Sequence, residues 1–591
     1  STGGPVPLNN GGTLMAGATT LSGTGITVGA SVTTTGSTAL TAGSGGIMLD
    51  ARVATNNNAL TLSSAGSVAQ MATGAFLIGT GALTLLGTGS FVLNAATNSF
   101  STLTTTTPTM PNGSATSISV TNSGATSVGP VTTTGALTVT SVGALTVGGA
   151  VKFGDLTLTA QAIRINERIT VRAGGSVTLN YSETLPTNLS FAQGASLDYG
   201  SPDIGDALTI NSNAYKLVYN IADLDAIDAV SALDGSTVSV FGDGLAGRYA
   251  LATNLNAAGS AFTRALVGRD PNSSFSGIFE GLGHTISNLT ITPSTATDNV
   301  GLFGSVTGAI RDIGMIGGSV SGGTSVGGLV GRAAGANITN AYATGRVNAQ
   351  GNAGGLVGLL SGGNIVNSYA TGAVTATGTV GSAGGLVGAQ DDATSLITNA
   401  YATGSVSGNM HVGGLVGLQH STGAITNSYA TGVVTASGST PGGVVGTRNG
   451  SIFNSFWDTE TSGRSSPSNG VGSGISTGTT GLTTAEFQSG SASGLGGAFA
   501  GGNLGLYPYL ASFYPNGAQA LSGIGYLTNG TTPAAAGSIV IFAGGGVLGN
   551  ASTGANGYYY LLTRPNRFAA TTPVGAVLTL SGMAGPSGLT Y

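Results

Sequence analysis

Few residues in this chain have the type and spacing to do chemistry. Asp458 and Glu460 lie one residue apart, beside the single tryptophan Trp457, and alternation puts them on one strand face. Asp391 and Asp392 are adjacent. Paired carboxylates at a set separation are what glycoside cleavage and general acid–base catalysis need. Asp223, Asp225 and Asp228 invite a calcium reading. At helical spacing, however, they point about 200° and 300° apart and do not converge on one cation. Carboxylates at a helix start, favoured by its dipole, are the preferred reading. His284, His411 and His420 stand apart from any nucleophile–acid setting. His411 and His420 share one neighbourhood but lack the carboxylate or thiol partners of a zinc site. The glycine-rich segments lack the Gly-Lys-Ser/Thr ending of a phosphate loop. The reading is therefore no catalytic residue, no cofactor and no metal.

What must position any such residues is a repeat. Gly-Leu-Val-Gly occurs at 328–331, 355–358, 385–388 and 414–417, with variants Gly-Leu-Phe-Gly at 301–304 and Gly-Val-Val-Gly at 443–446. A second phrase, Ile-x-Asn-(Ala/Ser)-Tyr-Ala-Thr-Gly, starts at Ile338, Ile365, Ile397 and Ile425 and begins again at Ile452 with Phe456 for tyrosine. Rougher forms start at Ile286 and Ile310, and successive starts are 24, 28, 27, 32, 28 and 27 residues apart. Such a period marks a stacked array in which each repeat buries its apolar face against its neighbours. Gly, Thr, Ser, Ala and Val in period-2 alternation favour strands over helices. The expected fold is all-β, a parallel β-helix of right-handed turn. The glycines are expected at corners, taking backbone angles that other residues avoid.

Alternation puts Ile425, Asn427 and Tyr429 on one face. Stacking then aligns Asn340, Asn367, Asn399, Asn427 and Asn454 into a column of amides that bond one another. Tyr342, Tyr369, Tyr401 and Tyr429, ending in Phe456, form an aromatic column beside it. A sugar-binding column and a scaffold are both compatible with this pattern. The scaffold reading is preferred, because a ladder calls for identical residues for stacking alone.

The glycine phrases resemble the GLUG motif. The run Phe275-Ser276-Gly277-Ile278-Phe279-Glu280-Gly281-Leu282-Gly283-His284 is similar to the lead-in of such repeats in filamentous-haemagglutinin-like secreted exoproteins, and Asn454-Ser455-Phe456-Trp457-Asp458-Thr459-Glu460 to their close. The resemblance covers residues 215–490 closely and 1–214 in style. It implies a secreted adhesin of the two-partner type, exported through an outer-membrane partner pore. It also makes the Asp458 phrase a structural close of the array rather than a catalytic pair. Family members begin with a secretion domain; residues 1–60 show no counterpart, which reads as a processed or excised piece.

Composition narrows the function classes. Only 6% of the 591 residues are charged, against about a quarter in ordinary globular proteins. From residue 1 to 151 the only charges are Asp50 and Arg52. A net charge of -5 gives no basic track for phosphates, so nucleic acid is not the expected partner. Cysteine is absent, which suits export through an oxidising compartment. No signal peptide is legible, and Ser1 reads as a processed end. No run reaches the length of a membrane helix.

In order along the chain, residues 1–180 read as a Thr/Gly-rich β-solenoid, with Ala-Leu-Thr-Leu at 59–62 repeated at 82–85. Its threonine clusters, 104–107 and 132–134, read as turns or outward hydroxyl ladders. Residues 181–270 read as a connector with a strand at 217–221 and a short helix at 223–230. Residues 271–463 are the GLUG-repeat solenoid, with Asp391-Asp392 in an inserted outer loop. Residues 464–515 are a Gly/Ser-rich closing segment with a helical turn at 482–488, and Tyr507-Pro508-Tyr509-Leu510 resembles a closing phrase that packs over the last rungs. Residues 516–591 read as a small β-sandwich-like module. Tyr558, Tyr559 and Tyr560 are taken as assembly residues, because strand edges there invite another strand.

The function expected is a secreted, non-catalytic fibrous protein of the bacterial cell surface or extracellular space. It serves adhesion, biofilm or an extracellular filament, self-associates through solenoid ends or C-terminal strands, and has a surface glycan or neighbouring cell as possible ligand. The alternative is a scaffold portion of a carbohydrate-active enzyme or surface peptidase.

Overall fold

A computed structural model describes residues 6–8, 19–70, 77–106, 114–185, 187–200, 205–269, 271–293, 299–420, 422–527, 530–569, 571–579 and 587–588. The chain forms two compact units, residues 1–219 and 220–591. Their border falls within the stretch read as a connector.

The first unit is a parallel β-solenoid. One face stacks Ile26–Val28, Ile47–Leu49, Val68–Gln70, Ser90–Leu93, Ser117–Asn122, Leu137–Ser141, Leu156–Thr159, Ser176–Asn180 and Ala207–Ile210 in parallel register. A second face stacks nine strands from Thr19–Gly23 to Leu189–Phe191. The repeated tetrapeptide lies in register, Leu60 beside Leu83 and Leu62 beside Leu85. Alternation does the sorting: along Leu137–Ser141, positions 137, 139 and 141 are buried and the threonines between are half-exposed. Leu, Val and Ile thus fill the coil, each contributing roughly 1.5–3 kcal/mol over exposure. The unit ends in an antiparallel hairpin, Ala207–Ile210 with Asn213–Val218. That strand is earlier than the expected 217–221.

The second unit opens with a helix at Ile221–Asp225 and a 3-10 turn at Ala226–Asp228, shorter and earlier than the expected 223–230. Asn220 caps it by accepting the Asp223 amide, which draws the helix start forward. A second parallel solenoid follows. Val330–Thr339, Val357–Ala370, Leu396–Ala402, Ala424–Ala430 and Ser451–Asp458 run side by side. Arg346–Ala349, Val374–Ala376, Val406–Gly408 and Val434–Ala436 form another face. Leu329, Leu356, Leu386 and Leu415 are fully buried, as are Ile338, Ile365, Ile397 and Ile425.

The longest repeat spacing enters at two places. Register partners lie 27 residues apart at Val347 and Val374, 30 at Ala353 and Ala383, and 32 at Ile365 and Ile397. The turn carrying Asp391 and Asp392 therefore holds only part of the insertion.

The C-terminal module is a β-sandwich. Gln519–Ile524 pairs with Tyr558–Thr563. Ser538–Ala543 lies between Gly546–Ser552 and Val574–Thr579, all antiparallel. Ile539, Ile541 and Leu578 from the second sheet pack with Leu521, Tyr559 and Leu561 from the first.

Candidate functional site

The repeat phrase folds around its asparagine. Asn340, Asn367, Asn399, Asn427 and Asn454 all have φ between 46° and 53°, the left-handed region. Asp312, in the rougher copy at Ile310, shares it. Asn288 does too, but its segment is no in-register copy, since Ile286 pairs with Met315 while Ile310 pairs with Phe279. Among non-glycine residues Asn and Asp tolerate this conformation best. The chain turns there, so period-2 alternation stops. Asn427 therefore does not share a face with Ile425 and Tyr429, as strict alternation expects. Ile425 points into the coil, Asn427 sits half-buried at the corner, and Ser428 and Tyr429 are buried beyond it.

The corner amides of Asn367, Asn399, Asn427 and Asn454 bond in series. Asn399 Nδ2 donates to Asn367 Oδ1 at 3.1 Å, Asn427 to Asn399 at 3.4 Å and Asn454 to Asn427 at 3.2 Å. At the far end Asn340 Nδ2 donates to Asp312 Oδ1 at 3.0 Å. Two other linkages escaped the sequence reading. Where the repeat reads Asn-Ser-Tyr, the serine hydroxyl accepts the backbone N–H of the preceding rung's alanine, Ala341 from Ser368 and Ala400 from Ser428, each at 3.2 Å. Buried Gln390 and Gln419 join at 3.2 Å. The sequence signals were the alternating Ala/Ser position and a glutamine two residues after two of the glycine phrases.

The glycine phrases work by close approach. None of their glycines in the four Gly-Leu-Val-Gly copies has positive φ, which corrects the expectation of unusual backbone angles. A Cβ on Gly355, Gly385 or Gly414 would lie 2.1, 2.1 and 2.2 Å from the carbonyl oxygen of the glycine one rung on. Only glycine permits those rungs to meet.

The tyrosines stack outside the coil and are covered. Ring centroids are 4.9 Å apart for Tyr342 and Tyr369, 4.7 Å for Tyr369 and Tyr401, and 5.1 Å for Tyr401 and Tyr429, with planes within 7°. Phe513 meets Tyr342 and Tyr369 edge-on. Phe487, Leu495, Tyr507, Tyr509 and Leu510 complete one apolar cluster with the column and Phe456. Burial pushes the phenols of Tyr369, Tyr401 and Tyr429 well above the usual tyrosine range.

Asp458 fastens this cover. The strand ends at Asp458 and Glu460 lies in the turn beyond, so the two do not form a strand-face pair. The buried Asp458 carboxylate accepts the Glu460 and Thr461 amides at 2.9 Å each, Thr484 Oγ1 at 2.7 Å and Tyr507 OH at 2.5 Å. Burial raises its pKa against the pull of these bonds. Glu460 accepts the Thr484 amide at 2.9 Å. Thr484–Phe487 is a helical turn closed by a Thr483–Glu486 capping box. Trp457 is fully buried and donates to the Arg464 carbonyl at 2.8 Å.

The remaining candidates are similarly engaged. Asp225 accepts the Ala232 amide at 2.8 Å, and Asp228 pairs with Arg269 at 2.7 Å. Burial pushes Asp228 up to about 6. Asp391 accepts from Ser361 at 2.5 Å and Asp392 from the Thr394 amide at 2.8 Å. His284 lies 3.3 Å from Asn254 and His411 lies 2.8 Å from Thr447, while His420 is exposed. Among the described residues no group of three or more His, Asp or Glu is placed to hold a metal. No helix among them is long and apolar enough to cross a membrane.

Tyr558, Tyr559 and Tyr560, expected to serve assembly, have their rings engaged within the chain. Tyr558 OH accepts from Gln488 at 3.0 Å, and Tyr560 OH accepts the Tyr507 amide at 3.3 Å. Tyr559 packs in the sandwich core. Alternation on one strand splits the three between two apolar clusters, which leaves no common tyrosine surface.

The GLUG motif family matches residues 322–348, 349–375 and 408–435. The chain carries GLUG repeats. It is also similar to halomucin of Haloquadratum walsbyi, 31% identical over 157 residues, covering 25% of this chain and 2% of halomucin. The chain thus spans a small fraction of that relative's length. A crystal structure of a protein provisionally named an immunoglobulin A1 protease, from Bacteroides ovatus, aligns with 51% of this chain and 93% of that one. The identity is 24% and the TM-score 0.40.

Proposed function

We propose that this GLUG-repeat chain is a secreted, non-catalytic element of the bacterial cell surface or extracellular matrix, used for adhesion or as a structural filament component. The single observation that carries the reading is the use made of Asp458. The carboxylate with the strongest catalytic prospects, beside the single tryptophan, accepts four bonds from the turn and cover that close the array. A general acid or base must instead face a substrate proton. The Asn column, the glycine contacts and the tyrosine stack likewise join rung to rung. The sparse charge and absent cysteine fit an exported β-solenoid held together by backbone ladders. The likeness to halomucin, over a small part of that protein, supports a repeat-built surface role.

The test is antibody labelling of intact and permeabilised producing cells. Labelling of intact cells or of material shed around them is expected. Signal confined to permeabilised cells would overturn the reading.

A further inference from the structure

A cleft with a volume of about 460 Å³ opens between the GLUG solenoid and the sandwich, inside the second unit. Its floor is the outward side of the ladder formed by Arg346–Ala349, Val374–Ala376, Val406–Gly408 and Val434–Ala436. Thr375, Ser407 and Thr435 are register partners there on successive rungs, and the Oγ atoms of Thr375 and Ser407 are 3.1 Å apart. Ser538, Asn550 and Ser552 face them from the sandwich. Among the described residues the single charged one of the lining is Arg346. It is exposed, and no carboxylate among the described residues lines the cleft beside it.

Two walls of hydroxyl and amide groups offer donors and acceptors in series, at the ladder spacing of about 4.8 Å per rung. A polyhydroxylated chain matches that series, since one pyranose ring is about as long as one rung. The guanidinium supplies planar paired donors that fit a carboxylate or sulfate. The volume lies in the range of ligand sites. We propose that this cleft binds an acidic oligosaccharide, with its hydroxyls along the Thr375–Ser407–Thr435 column and its anionic group on Arg346. The proposal rests on the surface-protein reading and names the ligand class which that reading leaves open.

The test is calorimetric titration of the whole chain with three hexasaccharides: galacturonate, heparin-derived and neutral cello-oligosaccharide. At least one acidic hexamer should bind more tightly than the neutral one, and the preference between the first two separates carboxylate from sulfate recognition. R346Q should weaken that binding about tenfold. S407W, which fills the floor, should abolish it with the thermal melt unchanged. If S407W does not fold, R346Q and the neutral hexamer decide. Absence of binding by both acidic hexamers at millimolar concentration would overturn the proposal, as would binding that R346Q leaves unchanged. Failure here with intact-cell labelling sinks this site alone; labelling confined to permeabilised cells sinks the reading beneath it.

Discussion

Replacing Asp458 with alanine should loosen the cover over the tyrosine column, and Trp457 is placed to report it. Asp458 accepts two backbone amides and two hydroxyls at 2.5–2.9 Å. In the variant the hydroxyls of Tyr507 and Thr484, already 3.4 Å apart, can bond each other. The Glu460 and Thr461 amides cannot, and each stranded donor costs about 1–3 kcal/mol. Removing a carboxylate whose pKa burial raises returns part of that loss, leaving a net cost of about 3 kcal/mol. Trp457 is the single tryptophan and is fully buried. Its emission should start blue-shifted and redden when this region opens. With an m-value of about 2 kcal/mol/M, the urea midpoint seen by Trp457 should fall by about 1.5 M. Asp458→Asn keeps an acceptor for the amides and should lose about half as much. A D458A midpoint within about 0.2 M of wild type would refute the clamp, because that shift is below the cost of even one stranded amide.

Three further outcomes follow from the same geometry. Gly385→Ala places a methyl 2.1 Å from the Gly414 carbonyl oxygen and should abolish soluble expression, whereas Gly335→Ala, with open space but φ of +76°, should cost only about 1 kcal/mol in chemical denaturation. Asn399→Gly keeps the left-handed corner and removes amide bonds to Asn367 and Asn427, so it should cost about 1 kcal/mol, and Asn399→Ala about 2, by the same measurement. Burial raises the Glu280 carboxyl from 4.5 to about 7 against the pull of Arg311; its contribution is full below pH 4.5 and is lost as pH rises through about 7. Denaturation midpoints should therefore decline across that window in wild type, and Glu280→Gln should flatten the decline.

The parallel solenoid was legible because its signal is translational. Ala-Leu-Thr-Leu at 59–62 and 82–85, and the Ile residues at 310, 338, 365, 397, 425 and 452, fall into register as their spacing requires. The rougher copy at Ile286 does not, since Ile286 pairs with Met315 and Ile310 with Phe279. The corner at asparagine was less legible, since a single left-handed residue breaks alternation without changing composition. Asp312 standing where later copies have Asn was the available hint, because those two residue types share a tolerance for that region. The role of Asp458 depended on Thr484 and Tyr507, which lie 26 and 49 residues away and carry no periodic mark. The tyrosine column was readable, and so was one part of its cover, the phrase at 507–510 that packs on it; the rest was not. Phe487, Leu495 and Phe513 come from a Gly/Ser-rich stretch whose composition suggests a loop, and their packing is set by the surface beneath. For the same reason a strand edge at Tyr558–Thr563 gave no sign that its rings turn inward to two different clusters.

Hydrogen exchange resolved by segment distinguishes a sealed scaffold of repeat residues from an open one. Amides of Leu396–Ala402 and Ala424–Ala430 and of Tyr509 and Leu510 in the covering strand Pro508–Leu510 should all exchange slowly in wild type. The cover should open first in D458A. Fast exchange of the cover over protected rungs in the wild-type chain would contradict the account, and would make the tyrosine column an open face available to a ligand.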